Sequence, residues 1–334
     1  MLNPLRRSLL WQTATATAAF SAAALLAAPP ALAQSYPSKP VRIVIPYGAG
    51  GPADTIVRAI GRQLNTVWSQ PVIVDNRPGA NEIIAADLVA KSAGDGYTLL
   101  LASDGVFSLN QHLYAKIPYD PVADFVPITR LTVANLMLVV RPDFPATDVK
   151  GFIAYAKANQ GKLNYASIGI GGVNHLASAW FNSINGLEMS HVPFKALPAA
   201  VQDLSAGRVD AMFAVTGGVA PLIEAGKVKG LAVSGKARQR VAPNVPTFAE
   251  VGFPDFDASY YFGVVAPKGT PPEITTRIAA ELSKIVNAPE FNAQYLEPLG
   301  FAPVGDTPEQ FGAFLVKDRE VGARKVKISG AKLE

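Results

Sequence analysis

Cysteine is absent from the 334-residue chain, which excludes disulfides, thiolate metal sites, iron–sulfur clusters and a cysteine nucleophile together. Histidine is scarce: His112, His175 and His191 are the three, and no two lie close enough in sequence for a helical zinc pair. Charged residues make up 17% of the chain and the formal net charge is +4, too mild a positive balance for a nucleic-acid binder. After the first segment no window reaches 18 consecutive apolar residues, so nothing later reads as a bilayer span. The motifs GxSxG and HExxH are missing, which leaves an exported hydrolase as a poor second reading, since a Ser–His–acid triad assembles only in space. No enzyme activity, cofactor or metal is expected.

What is present is a large apolar fraction, 49%, enough for a sizeable packed core and about two domains at this length. The chain opens with Arg6 and Arg7, a weakly polar run Ser8–Ala28, and Ala31-Leu32-Ala33. That pattern predicts a secretory signal peptide, residues 1–33, cut after Ala33. Gln12, Thr13, Thr15, Thr17 and Ser21 dilute the run too much for the competing membrane-anchor reading. The paired arginines also fit the twin-Arg route, ranked second to Sec export. The mature chain is therefore expected to be a soluble exported protein in the periplasm.

Short β-branched runs alternate with amphipathic stretches. Val41–Ile45, Val72–Val74, Tyr97–Ala102, Leu163–Ala166, Val209–Phe213 and Gly230–Val233 read as buried strands. Ile56, Ile60 and Leu64 mark one helical face, and Phe152–Ala158, His175–Ser183 and Ala199–Ser205 read as further helices. The alternation predicts an α/β fold with parallel sheets. Later, Pro271-Pro272 opens a helix through Val286, and Thr307 with Gln310 has capping-box spacing ahead of another. Two long runs, Leu131–Val140 and Ala258–Ala266, read as strands passing between domains. They predict lobe 1 from 34–134 plus 259–334 and lobe 2 from 135–258, a hinged clamshell. One continuous α/β domain is the alternative.

The most informative feature is a repeat. Val41–Ile45 leads into Gly48-Ala49-Gly50-Gly51-Pro52-Ala53-Asp54, and Leu163–Ala166 leads into Gly169-Ile170-Gly171-Gly172-Val173-Asn174-His175. Each is GxGG between a strand and a helix. Glycine permits positive φ and leaves backbone N–H groups uncovered, and a helix N-terminus favours an anion there. Ala53 and Asn174 occupy the third-glycine position of a dinucleotide fingerprint, and neither loop has the Gly-Lys-Ser/Thr of a Walker loop, so nucleotides are excluded. Two such loops facing one cleft hold the two ends of a dicarboxylate. Asp54 reads both as a helix-start cap and as a neighbour of the site, and His175 as a cap or a ligand contact. Ser103, Ser167 and Thr216 follow strand ends, where α/β proteins gather ligands. Tyr47 stands beside the first loop, Tyr260, Tyr261 and Phe262 are candidate walls, and Lys195 is read as solvated.

The mature chain resembles, nearly end to end, the Bug-type solute receptors of tripartite tricarboxylate transporters. The resemblance runs through Tyr36-Pro37-Ser38-Lys39-Pro40-Val41-Arg42, Pro46–Asp54, Val74–Ala80, Asp95–Leu100, Tyr165–Gly172, Val192-Pro193-Phe194-Lys195, Asp210–Phe213 and Ala266–Pro271. It implies a Venus-flytrap receptor that captures a small carboxylate through backbone amides, hydroxyls and waters, then delivers it to a membrane permease. Carried onto this chain it points to Tyr47, Gly50, Gly51, Ala53, Asp54 and Ser103 in lobe 1. In lobe 2 it points to Ser167, Gly169, Gly171, Gly172, His175 and Thr216. A monomer is expected, with no nucleic-acid partner; presentation of the closed form to a sensor kinase is the alternative use of the same clamshell. Three departures bear on the pocket: Asn81 and Glu82 stand where the family usually has two glycines, Ala196 where a glycine is common, and Tyr261 where a Trp is frequent. Facing the cleft, Glu82 would disfavour a third carboxylate or favour an amino group; a solvated Glu82 is the expectation.

Overall fold

The computed structural model describes residues 36–333; the expected signal peptide lies outside the described residues. No helix among these residues is long and apolar enough to cross a membrane. The first stretch runs β1 (Val41–Ile45), α1 (Pro52–Trp68), β2 (Val72–Asn76), α2 (Ile83–Ala90), β3 (Thr98–Ala102) and β4 (Phe125–Ala134). Then come β5 (Leu136–Val140), α3 (Val149–Ala158), β6 (Leu163–Ser167), α4 (Val173–Asn185), β7 (Met189–Pro193), α5 (Leu197–Ser205), β8 (Ala211–Val215), α6 (Thr216–Glu224) and β9 (Lys229–Val233). The chain closes with β10 (Tyr260–Pro267), α7 (Pro272–Val286), β11 (Phe301–Pro303) and α8 (Pro308–Ser329).

The strands form two mixed sheets, ordered β11-β4-β10-β3-β1-β2 and β7-β6-β8-β5-β9. Both follow one plan. In the first, β1 lies between β2 and β3, parallel to both, and β10 runs antiparallel beside β3. In the second, β6 lies between β7 and β8, parallel to both, and β5 runs antiparallel beside β8. Each GxGG segment therefore follows the central strand of a parallel trio. The chain leaves that strand toward one neighbour and later returns on the other side, which opens a crevice at the strand C-termini.

The passage between sheets explains the first long apolar run. Residues 131–140 do not form one strand: the run breaks at Asn135, with β4 in the first sheet and β5 in the second. The chain returns through 234–259 and enters β10, which pairs with β3 and β4 of the first sheet. Strand alternation then builds two apolar layers on the second sheet. On β8, Ala211 and Phe213 pack with Phe144, Phe152, Phe181 and Phe248, whereas Met212 and Ala214 pack with Ala200, Leu204 and Val219 on the other face. At the last helix the expected capping box is present: the Gln310 amide donates to Thr307 Oγ1 at 3.3 Å, and the Thr307 amide to Gln310 Oε1 at 2.9 Å.

Candidate functional site

The two glycine turns are built alike. In the first, Gly50 takes φ +83°, a conformation open to glycine at little cost, and its amide donates to Asp54 Oδ2 at 2.9 Å. In the second, Gly171 takes φ +77°, and its amide donates to His175 Nδ1 at 3.1 Å. In both, the side chain four residues on closes the turn. The helical ladders begin with Thr55 on the Gly51 carbonyl and Leu176 on the Gly172 carbonyl. The amides of Ala53 and Asp54, and of Val173, Asn174 and His175, come before those bonds and carry the positive ends of α1 and α4.

Asp54 and His175 thus serve their own turns. The Asp54 carboxylate also accepts from Arg58 Nε at 2.9 Å and Asn76 Nδ2 at 3.0 Å, and the Arg58 bonds outweigh burial to hold its pKa down to about 2. A depressed carboxylate stabilises the fold above its unfolded value and loses that contribution as pH falls toward its folded one. Asp54→Asn should therefore cost on the order of 1–2 kcal/mol at about pH 7, with the difference closing as urea unfolding is repeated toward pH 2. The His175 ring stacks on His191 with centroids 4.0 Å apart. Burial first, then His191, pushes its pKa down to about 4, so it is neutral and fit to accept from Gly171. His191 itself bonds Ser167 Oγ at 2.6 Å, a partnership that strand periodicity did not reveal.

A cavity of about 390 Å³ opens between the turns, near the small end of the range for small-molecule sites. Tyr47, Gly51 and Ala53 line it from the first turn, Gly171, Gly172 and Asn174 from the second, and Ser103 from the end of β3. The other expected site residues, Gly50, Asp54, Ser167, Gly169, His175 and Thr216, do not line it. Ser167 Oγ is turned to the Gly169 carbonyl, and Thr216 Oγ1 donates to the Asn135 carbonyl at 3.1 Å, tying α6 to the β4–β5 junction. Tyr260 and Phe262 supply apolar wall, with the Phe262 ring 5.5 Å from that of Tyr47. Lys195 is exposed and takes no part.

Glu82 departs from its expected solvation. Ala80, Asn81 and Glu82 take successive left-handed conformations, φ 45°, 50° and 75°, which cost non-glycine residues energy. The result places Asn81 and Glu82 in the cavity wall, with Glu82 8% exposed. Its carboxylate accepts from Tyr47 Oη and Ser103 Oγ, both at 2.5 Å, and from the Ser103 amide at 3.1 Å. Burial raises its pKa while these donors oppose the rise. Beside it Asp104, also in the wall, is 6% exposed, and its Oδ1 has no hydrogen-bond partner. Burial, then Asp318, pushes Asp104 up to about 7. The strand-end position marks Ser103-Asp104-Gly105 together, but of these only Ser103 is carried to the expected site. A second cavity of about 660 Å³ includes Trp180, Tyr261, Lys317 and Lys325 in its lining and shares Asp104 and Tyr260 with the first. None of its lining comes from a glycine turn.

Known proteins bear on this geometry. Residues 56–328 match the family model described as tripartite tricarboxylate transporter family receptor. The chain belongs to that family. It is 34% identical to protein BugT of Bordetella pertussis over 94% of this chain and 96% of that one. Among solved structures it is similar to R. palustris Rpa4515 with adipate, at 31% identity and TM-score 0.79, covering 89% of this chain and 100% of that one. It is also similar to MatC from Rhodopseudomonas palustris with bound malate, at 30% identity and TM-score 0.74, covering 87% and 100%. The family is one of transporter receptors rather than enzymes, and the two-sheet α/β architecture is shared with the periplasmic binding protein BugD, at 30% identity and TM-score 0.75, covering 90% of this chain and 100% of that one.

Proposed function

We propose that this receptor captures a small carboxylate, a di- or tricarboxylate or an aromatic acid, between its two glycine turns in the periplasm. It then hands the solute to the permease of a tripartite tricarboxylate transporter. Lobe 1, residues 34–134 plus 259–334, brings the α1 turn; lobe 2, residues 135–258, brings the α4 turn; closure about the crossings clamps the anion. The observation carrying this reading is one cavity walled by the N-termini of both α1 and α4, each offering amides that no helical bond uses. A solute touching both turns binds the closed form better and shifts the hinge equilibrium toward it. Malate and adipate, bound by the two relatives, are the first candidates.

Thermal unfolding should be measured with malate, adipate, citrate and benzoate. A binder at about a hundred times its Kd stabilises by roughly 2.7 kcal/mol, a readily measured rise in Tm. A folded protein whose Tm no carboxylate moves would sink this reading. Uptake of the stabilising acid should then depend on both the receptor and the permease.

A further inference from the structure

The charges and donors on the cavity wall narrow the class of solute, an inference that rests on the carboxylate reading above. We propose that the solute is a monocarboxylate with an apolar body, and that Glu82 is the residue that excludes a second carboxylate.

The first observation concerns charge. Among the described residues, the cavity lining holds the acids Glu82 and Asp104 and no Lys, Arg or His. Its positive side is left to the N-termini of α1 and α4, each worth about half an elementary charge. The pair offsets one carboxylate and leaves nothing for another. In a cavity of about 390 Å³, a second carboxylate stays close to the Glu82 charge, and buried charges are poorly screened.

The second observation is where the donors go. Tyr47 Oη and Ser103 Oγ, both on the wall, donate to Glu82 Oε1, and the Ser103 amide donates to Oε2. Ser103 Oγ in turn accepts from the Gly105 amide at 3.1 Å, which leaves its proton for Glu82. Three donors converging on one carboxyl is the pattern that an ionised group takes. Glu82 thus uses, from within the chain, the donors that a second solute carboxylate would need. The side-chain amides are engaged as well: Asn81 Nδ2 donates to Asn110 Oδ1 and Asn174 Nδ2 to the Phe213 carbonyl, both at 2.7 Å. Tyr260 Oη is a further hydroxyl on the wall, but one neutral donor is too little for a buried carboxylate. The remaining lining is largely hydrocarbon, with Pro52, Leu109, Ile168, Val173, Val215 and Phe262. Such a surface favours an apolar body and offers a charged end no partner.

Matched probes test this: hexanoate against adipate, and benzoate against terephthalate, each pair differing by one terminal carboxylate. Calorimetry on the full receptor should show the monoacid binding at least tenfold more tightly in a pair. Glu82→Gln removes the charge at nearly constant shape. Glu82→Gly also frees Tyr47 and Ser103, at a φ of 75° that glycine adopts at little cost. The ratio of diacid to monoacid affinity should rise roughly ten- to hundredfold in Glu82→Gly, and by less in Glu82→Gln. A residue that only shaped the turn would move both members of a pair alike. A parent receptor that binds the diacids as tightly as the monoacids would overturn the inference and leave carboxylate capture standing. So would a ratio that neither variant moves. No binding by any of these probes would remove the carboxylate reading itself, and this inference with it.

Discussion

Unliganded Asp104→Asn should be more stable than the parent protein at about pH 8, by on the order of 2–4 kcal/mol. The reason is an acid kept where its ion is poorly solvated. Asp104 is 6% exposed, its Oδ1 lacks a donor, and burial followed by Asp318 raises its pKa to about 7. A carboxyl with a raised folded pKa binds more protons in the native state than in the unfolded chain between roughly pH 3.9 and the folded value. Native stability therefore falls as pH rises through that window, and the full penalty applies above it. Asparagine carries no charge to desolvate, so the variant should lack this slope. Its advantage should vanish below about pH 4, where Asp104 is protonated in both states. Urea unfolding at several pH values measures both features. A parent and variant with parallel pH profiles would mean that water or a neighbouring donor satisfies the ionised form.

The strand–turn–helix rhythm was legible because its signals are local. Val41–Ile45 was read at its observed limits, and the helix from Pro272 to Val286 was read correctly at both ends. The paired GxGG turns were legible for the same reason, since glycine at positive φ before a helix is written in consecutive residues. β7 was missed because Met189–Pro193 is an edge strand with Ser190 exposed and His191 half-buried, so its apolar pattern is weak. The break at Asn135 was hidden inside a continuous run, because residues on both sides are buried in different sheets. Asp54 and His175 were placed correctly at the turns, but their direction depends on which amide lies four residues back in space. Glu82 was judged by its type, and acids are usually solvated. Its burial follows from Ser103 and Tyr47, which are distant in sequence and brought together by adjacent strand ends.

Phe181→Ala should destabilise the protein by about 3–5 kcal/mol, a larger loss than at either turn. Phe181 lies on α4, is 1% exposed, and meets the rings of Phe152, Phe213, Phe248, Phe253 and Phe256 at centroid distances from 5.4 to 6.2 Å. Phe152 belongs to α3 and Phe213 to β8, while the other three lie in 234–259, the segment that carries the chain back to the first sheet. One ring therefore fastens three parts of the second layer to the helix whose N-terminus forms the second glycine turn. Removing it leaves a void that stiff aromatic neighbours fill poorly. Affinity should change far less than stability, because the turn itself is held by the Gly171–His175 bond and not by this cluster. Urea unfolding and calorimetry with the best-binding carboxylate separate the two quantities. A cost below about 1 kcal/mol would mean that the phenylalanines collapse into the space. A collapse in affinity at full folding would mean that the cluster, rather than the turn's own hydrogen bonds, sets the position of the α4 amides.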